Sequence, residues 1–471
     1  MHALLQLSGC LLLLPIPIRA AVWQVGPGLT YTSPSQVATL VGNGDTVDIV
    51  AGVYPSDVAA WTADDLLLRG VGGLAHLESN GLAWGQKAIW VIQGDRTTVE
   101  WIEFSECSVP DQNGAGIRQE GLDLTVRHCY FHDNENGILA GEVHPSTMVI
   151  EHSEFGYNGY GDGYSHNLYI GNIDSLIFRF NFSHHANVGH ELKSRAHVNM
   201  IEYNRLSNEA DGMASREIDL PNGGQAYLIG NVIQQGPAGQ NSNMVGYGLE
   251  GLINPGPHRL YAVHNTLVNE KTVGTFFDMP TSILFKAYNN VLAGGGSFMS
   301  TWPFGPDTLA NVRNTNISAL GFSDAANFDY HIDVTSPAHG VGYPAGVAIS
   351  GYPLGAWCEY VHPMDSVIRC QHATLDAGAF ETCTTTAIAE RTGDGMRLFP
   401  NPAQDRLDVS FASGSDPDEV GILDTQGRVL RVWPVQGSPA LSLDVRDLPN
   451  GALLLRTKGA DGSRTCTFLK L

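Results

Sequence analysis

Short runs in which apolar and polar residues alternate recur through the middle of the chain. Leu124–Phe131 (LTVRHCYF) and Met148–Phe155 (MVIEHSEF) share one pattern, and it returns as LIFRFNFS, NMIEYNRL, AYLIGNVI, RLYAVHNTL and ILFKAYNNVL. Aligned on Cys129, Ser153, Asn181, Asn204, Asn231, Asn265 and Asn289, the units are separated by 24, 28, 23, 27, 34 and 24 residues. Period-two alternation marks β-strands, and no 3.6-residue period lies between them, so neither βαβ units nor a leucine-rich horseshoe fits. A strand unit that cannot bury its apolar face alone does so by stacking on its neighbours, which predicts an all-β parallel solenoid. Asparagine at the recurring turn suits such coils, because it tolerates left-handed backbone and its amides hydrogen-bond along a ladder.

The strand after each anchor reads Gly137–Gly141, Asn167–Gly171, Glu191–Arg195 and Glu217–Pro221 in successive coils. Alternation then predicts Ile138, Leu168, Leu192 and Ile218 as one inward stack. Three outward columns follow: Asn167, Glu191, Glu217; Tyr169, Lys193, Asp219; and Gly171, Arg195, Pro221. Adjacent coils lie ~4.8 Å apart, so these groups fall within a patch roughly 10–15 Å across. His166 and His190 precede their strands at equivalent places, and Glu250 is placed one coil beyond. The preceding loop, GYNGYGDGYSHN, carries Tyr157, Tyr160 and Tyr164, which suit stacking on sugar rings.

Composition narrows the partners. The chain has 471 residues, with 48 acidic against 26 basic side chains, a net charge of −22, and 54 glycines. Such a surface repels nucleic acid and anionic lipid headgroups, and the sequence contains no basic patch to offset it. The partners expected of such a surface are neutral, cationic or metal-bridged.

The N-terminal run Ala3–Ile18 is apolar, short and proline-broken, and small residues follow Arg19, so residues 1–20 are expected to be a signal peptide, with the mature chain starting near Ala21 or Val22. Six cysteines follow it. None has CxxC spacing, so a zinc–thiolate site is not expected; Cys358 with Cys370 is the expected disulfide, against the alternative of six buried thiols.

The pattern changes after Thr384–Thr386, and residues 384–395 are expected to be a linker. Residues 396–471 carry FPNPAQDRLDV, ILDTQGRVL and LPNGALLLRT with turn signals between strands, which predicts a small C-terminal β-sandwich. These motifs resemble the C-terminal sorting domain of the type IX (Por) secretion system, a resemblance that implies recognition by that machinery and a secreted or outer-surface location.

Residues 22–383 resemble the right-handed parallel β-helix family of secreted bacterial proteins related to polysaccharide lyases. GNGDTVDIVAGVY (Gly42–Tyr54) is similar to the entry strand, and DYHIDVTSPAHGVG (Asp329–Gly342) followed by LDAGAFE (Leu375–Glu381) is similar to the closing segment. The resemblance implies carbohydrate-active chemistry, with a polysaccharide or cell-surface glycan as the expected partner of a monomer. Abstraction of the C5 proton of a uronate needs a base and a cation facing the neighbouring carboxylate. The residues expected to supply them are Lys193 as base, Arg195 as carboxylate clamp and His190 beside them, with Asn167, Tyr169 and His166 handling substrate. Glu191, Glu217 and Asp219 are the expected Ca²⁺ ligands, since calcium takes six to eight oxygens. A glycoside hydrolase using two of these carboxylates and a non-catalytic glycan binder are the alternatives.

Overall fold

The computed structural model describes residues 20–370 and 374–383 and, in the tail, 396–399, 403–411, 417–424, 428–435, 440–459 and 462–470. The expected signal peptide and linker lie outside the described residues, apart from Ala20. The chain divides into two compact units, 1–383 and 384–471.

The first unit is a parallel β-helix of about ten turns. Ladders of parallel strands join each coil to the next from Val22–Val25 to Val312–Asn314, and one face is a separate ten-stranded sheet. The expected inward stack is present: Ile138 pairs with Leu168 and Leu192 with Ile218, all four fully buried. Beside it Phe104, Phe131 and Phe155 stack ring on ring at 4.8 and 4.9 Å. Filling one continuous apolar column is what makes each coil depend on its neighbours.

The asparagine ladder also forms. The Asn204 side-chain oxygen accepts from the backbone and amide of Asn181 at 3.0 and 3.1 Å, and the pattern repeats through Asn231 and Asn265. Its next rung is Asn290, not Asn289, followed by Asn311. The residue before each rung, not the rung itself, takes the left-handed backbone: His152, Phe180, Tyr203, Gly230, His264 and Asn289 all have positive φ. Asn289 therefore fills the strained corner, and its neighbour fills the ladder.

Beyond the last coil the chain turns back along the outside of the solenoid. Tyr343 exchanges hydrogen bonds with Asn289, Ile349 N–H donates to Tyr261, Tyr352 donates to Glu202 at 2.6 Å, and Trp357 N–H donates to Tyr203. His152 reaches the Met364 carbonyl at 3.0 Å. Residues 343–364 thus form a strap across six coils, sealing Phe180, Tyr203, Tyr227, Tyr261 and Val263 beneath it. The two parts of the expected closing segment meet where Gly342 N–H donates to the Leu375 carbonyl at 2.7 Å.

The disulfide joins Cys370 to Cys383, and Cys358 is a buried thiol. Cys358 does not pair with Cys370 as expected, because the antiparallel hairpin of Cys358–Val361 and Asp365–Ile368 sets Cys358 opposite Ile368, facing the coils under the strap, while Cys370 lies two residues further on, with its Cα 5.9 Å from that of Cys383.

The second unit has an antiparallel sheet of Met396–Phe399, Arg406–Phe411 and Ala440–Asp444, and another of Val429–Pro434, Pro417–Leu423, Gly451–Gly459 and Gly462–Lys470. Leu407, Val409 and Leu443 from the first join Val420, Ile422, Leu455 and Phe468 from the second in one core, as in a sandwich.

Candidate functional site

Strands Ala115–Gln119, Asn136–Ala140, Leu168–Ile170, His190–Ser194, Arg216–Leu220 and Asn243–Tyr247 lie side by side in the ten-stranded face. Their outward register runs Arg118, Leu139, Tyr169, Lys193, Asp219, Gly246. The expected Tyr169–Lys193–Asp219 column is therefore real, and Arg118 extends it. A groove of about 790 Å³ runs over this face. Arg118, Leu139, Tyr169 and Arg195 line it, with Asp111, Glu142, Asp162, Tyr164, Asn222 and Ile253 among its walls.

The cations sit around one carboxylate. Lys193 Nζ donates to Glu250 Oε1 at 2.9 Å, and Arg195 Nη2 donates to Glu250 Oε2 at 2.6 Å. Arg195 Nε donates to the Tyr169 hydroxyl at 2.7 Å, and Nη1 donates to Asn222 at 2.7 Å. Three directed hydrogen bonds fix the planar guanidinium fork beside the Lys193 ammonium. The two cations hold the Glu250 carboxyl below its usual range against a desolvation that would raise it. Glu250 is 45% exposed, so it lies over the pair from the solvent side.

Asp219 is 2% exposed, covered by Lys193 at 3.5 Å and Arg216 at 3.3 Å. Burial raises its pKa, and those cations offset part of the rise. His166 and His190 stack at 4.9 Å behind it. The His190 N–H donates to His166 Nδ1, and the Arg216 N–H donates to His190 Nδ1. Both imidazoles therefore use a lone pair within the fold, and burial pushes His166 down to about 3 and His190 well below its ordinary value. They are neutral struts holding the strands.

The outward column Asn167, Glu191, Glu217 does not exist: all three are fully buried. Glu191 and Glu217 lie inside the strands His190–Ser194 and Arg216–Leu220, yet their side chains are buried like those of Leu192 and Ile218 beside them, so strict alternation fails there. Asn134 donates to Asn158, and Asn158 donates to Asn167, in an inner amide ladder. The next turn carries Ala186, which has no amide to offer, and Glu191 fills that place, accepting from Asn167 at 2.5 Å, Ser183 at 3.1 Å and the Ala186 N–H at 3.1 Å. Glu217 does the same under Asn208 at 2.9 Å, with its second oxygen unpartnered. Burial pushes Glu191 up to about 8 and Glu217 well above the carboxylate range. Sealed in the interior, Glu191 and Glu217 cannot join Asp219 around an ion, and Asp219 itself faces two cations. The expected calcium ligand set is not assembled, and the same burial removes the carboxylate pairs of the hydrolase alternative.

Of the three loop tyrosines, Tyr164, 86% exposed, lines the groove. Tyr157 instead stacks on His185 at 4.8 Å. Arg118 and Asn222 escaped the sequence reading, although Arg118 follows from extending the Leu139–Tyr169 alignment by one coil.

Residues 397–470 match the family model described as the secretion system C-terminal sorting domain. No curated protein matches the chain. Among solved structures, the crystal structure of pectate lyase Pel9A is similar, with a TM-score of 0.55 and 13% identity, covering 78% of this chain and 98% of that one. At that identity the likeness is one of fold. The protein is a β-helix protein with a C-terminal type IX sorting domain, and that tail places it outside the cell, released or on the surface.

Proposed function

We propose that the groove binds a uronic-acid polysaccharide and cleaves it by β-elimination. The observation that carries this reading is the two-point grip of Lys193 and Arg195 on the Glu250 carboxylate, with Arg195 lining the groove. A uronate carboxylate has the same charge and bite, and would replace Glu250 on the Arg195 fork, freeing Lys193 to face C5. Lys193, as the neutral amine after its ammonium proton has passed to solvent, takes the C5 proton, the C5–H electron pair becomes the C4–C5 double bond, and the C4–O bond breaks, the leaving oxygen taking a proton from water. Arg195 and Arg118 stabilise the charge that builds on the carboxylate. Tyr169 positions Arg195, and Tyr164 offers a stacking surface. The fold shared with a pectate lyase supports the substrate class. Calcium was the expected cofactor, but the residues named for it do not fit an ion, and no step is routed through one.

The test is incubation of the full chain with a panel of uronic-acid polymers, with and without calcium, reading the ultraviolet absorbance of the unsaturated product. A rise that is lost in Lys193→Ala supports elimination. Retention of polymer without any rise on the whole panel would replace the enzyme by a glycan-binding β-helix.

A further inference from the structure

On another face of the coils, three metal-ligating side chains come from three successive turns. His76 lies near the end of the strand Leu67–Glu78, Glu103 lies in Ile102–Ser105 and His132 ends Tyr130–His132. His76 and Glu103 are register partners. Glu103 Oε1 is 3.1 Å from His132 Nε2 and 3.8 Å from His76 Nδ1, and the donor atoms of the three residues all lie within 4.8 Å of one another. We propose that His76, Glu103 and His132 bind a divalent transition metal, zinc in the first place.

The second nitrogen of each ring carries the argument further. His76 Nε2 lies 2.7 Å from the buried Ser105 hydroxyl, and His132 Nδ1 lies 2.7 Å from Asp133 Oδ2. Each far nitrogen can thus donate its proton to a fixed oxygen, which turns the lone pair of His76 Nδ1 and of His132 Nε2 toward Glu103. An outer partner on the far nitrogen is how metal-binding imidazoles are held in tautomer and orientation. His132 thus has a carboxylate oxygen within hydrogen-bond distance of each ring nitrogen, Asp133 at Nδ1 and Glu103 at Nε2. Zinc bonds of about 2.0–2.1 Å in a tetrahedron need donor separations of about 3.3 Å, so the 3.1 Å contact already suits the ion, the 3.8 Å contact needs a shift of a few tenths of an ångström, and the two imidazoles, whose donors lie within 4.8 Å, must draw together on the ion.

Two imidazoles and one carboxylate favour zinc or a neighbouring first-row ion over calcium, which prefers oxygen. The three side chains are 17–22% exposed, so an ion can enter and a fourth position faces solvent. The same face repeats the carboxylate–imidazole pair at Glu154 and His184, 3.2 Å apart, and among the described residues that pair has no third ligand in reach. It is the internal control.

The experiment titrates zinc chloride into the tag-free full chain after chelator dialysis, followed by calorimetry and by the visible bands of the cobalt-substituted protein. One equivalent should bind. Asp133→Asn should weaken it by about 10–100-fold, and His132→Ala or His76→Ala by more. His184→Ala should leave it unchanged, and His132→Gln with an unaltered circular dichroism spectrum separates ligand loss from misfolding. No retained zinc in the wild-type chain, equal affinity in His76→Ala and His132→Ala, or loss in His184→Ala would each overturn the site.

Discussion

Two faces of the β-helix carry similar charge and end in opposite conditions. Under the strap, Glu151 lies between Arg127 and Arg179, and Glu202 accepts from Tyr352, so the charged groups are closed into a finished network. On the groove face Lys193 and Arg195 meet Glu250, which is half exposed. The residue types are nearly the same, and cover distinguishes them. A dense column of charge becomes a candidate site only where the chain leaves it reachable, and it is structural where a later segment lies across it.

Breaking the shared core should have the largest effect. Leu192→Asp places a carboxylate in the inward stack beneath the groove, costs several kcal/mol, and should abolish soluble protein, read by expression and thermal unfolding. Normal stability would mean that Leu192 does not face the core. Next comes the open face: Lys193→Ala should lower turnover of a uronic-acid polymer by ~10²–10⁴ with the fold retained, because the side chain lies outside the apolar core. A parallel loss of stability would make the groove as structural as the strapped face.

A pH titration separates the interior corner from both surfaces. Glu191 has a folded pKa raised to about 8, against roughly 4.3 unfolded, so the unfolded chain releases its proton first. Stability from this group is complete below pH ~4, falls as pH rises, and is lost by pH 8, with a slope of at most about 1.4 kcal/mol per unit. Glu191→Gln should flatten that fall in denaturant melts taken between these limits, whereas an unchanged slope would place the titration elsewhere. The smallest effect belongs to the strap. Tyr352→Phe leaves the buried Glu202 without its 2.6 Å donor and should cost about 1–3 kcal/mol, with groove activity intact.

Much of this was legible in the sequence, because a strand of period two that repeats every coil fixes both register and side. Ile138, Leu168, Leu192 and Ile218 followed directly, as did Tyr169 above Lys193 above Asp219. Glu191 and Glu217 were not legible, since both lie within strands and are nonetheless drawn inside by Asn167, Ser183 and Asn208, buried partners that alternation does not record. The strap escaped for a different reason: its hydrogen bonds go to coils 54–212 residues away, and no local pattern records such partners. His76, Glu103 and His132 fall outside the chemistry-rich loop that drew attention, although His132 lies three residues after the anchor Cys129.

Stacked coils joined only to their neighbours can peel from either end, one at a time. The strap changes that for part of the molecule: because residues 343–364 touch coils from Asn289 back to His152, those coils cannot separate singly, and they should open as one cooperative block. The coils before His128 lie outside its reach. Amide exchange along the solenoid should therefore fall in a step, not a gradient, with a fast-exchanging N-terminal stretch and a protected middle that begins where the strap ends.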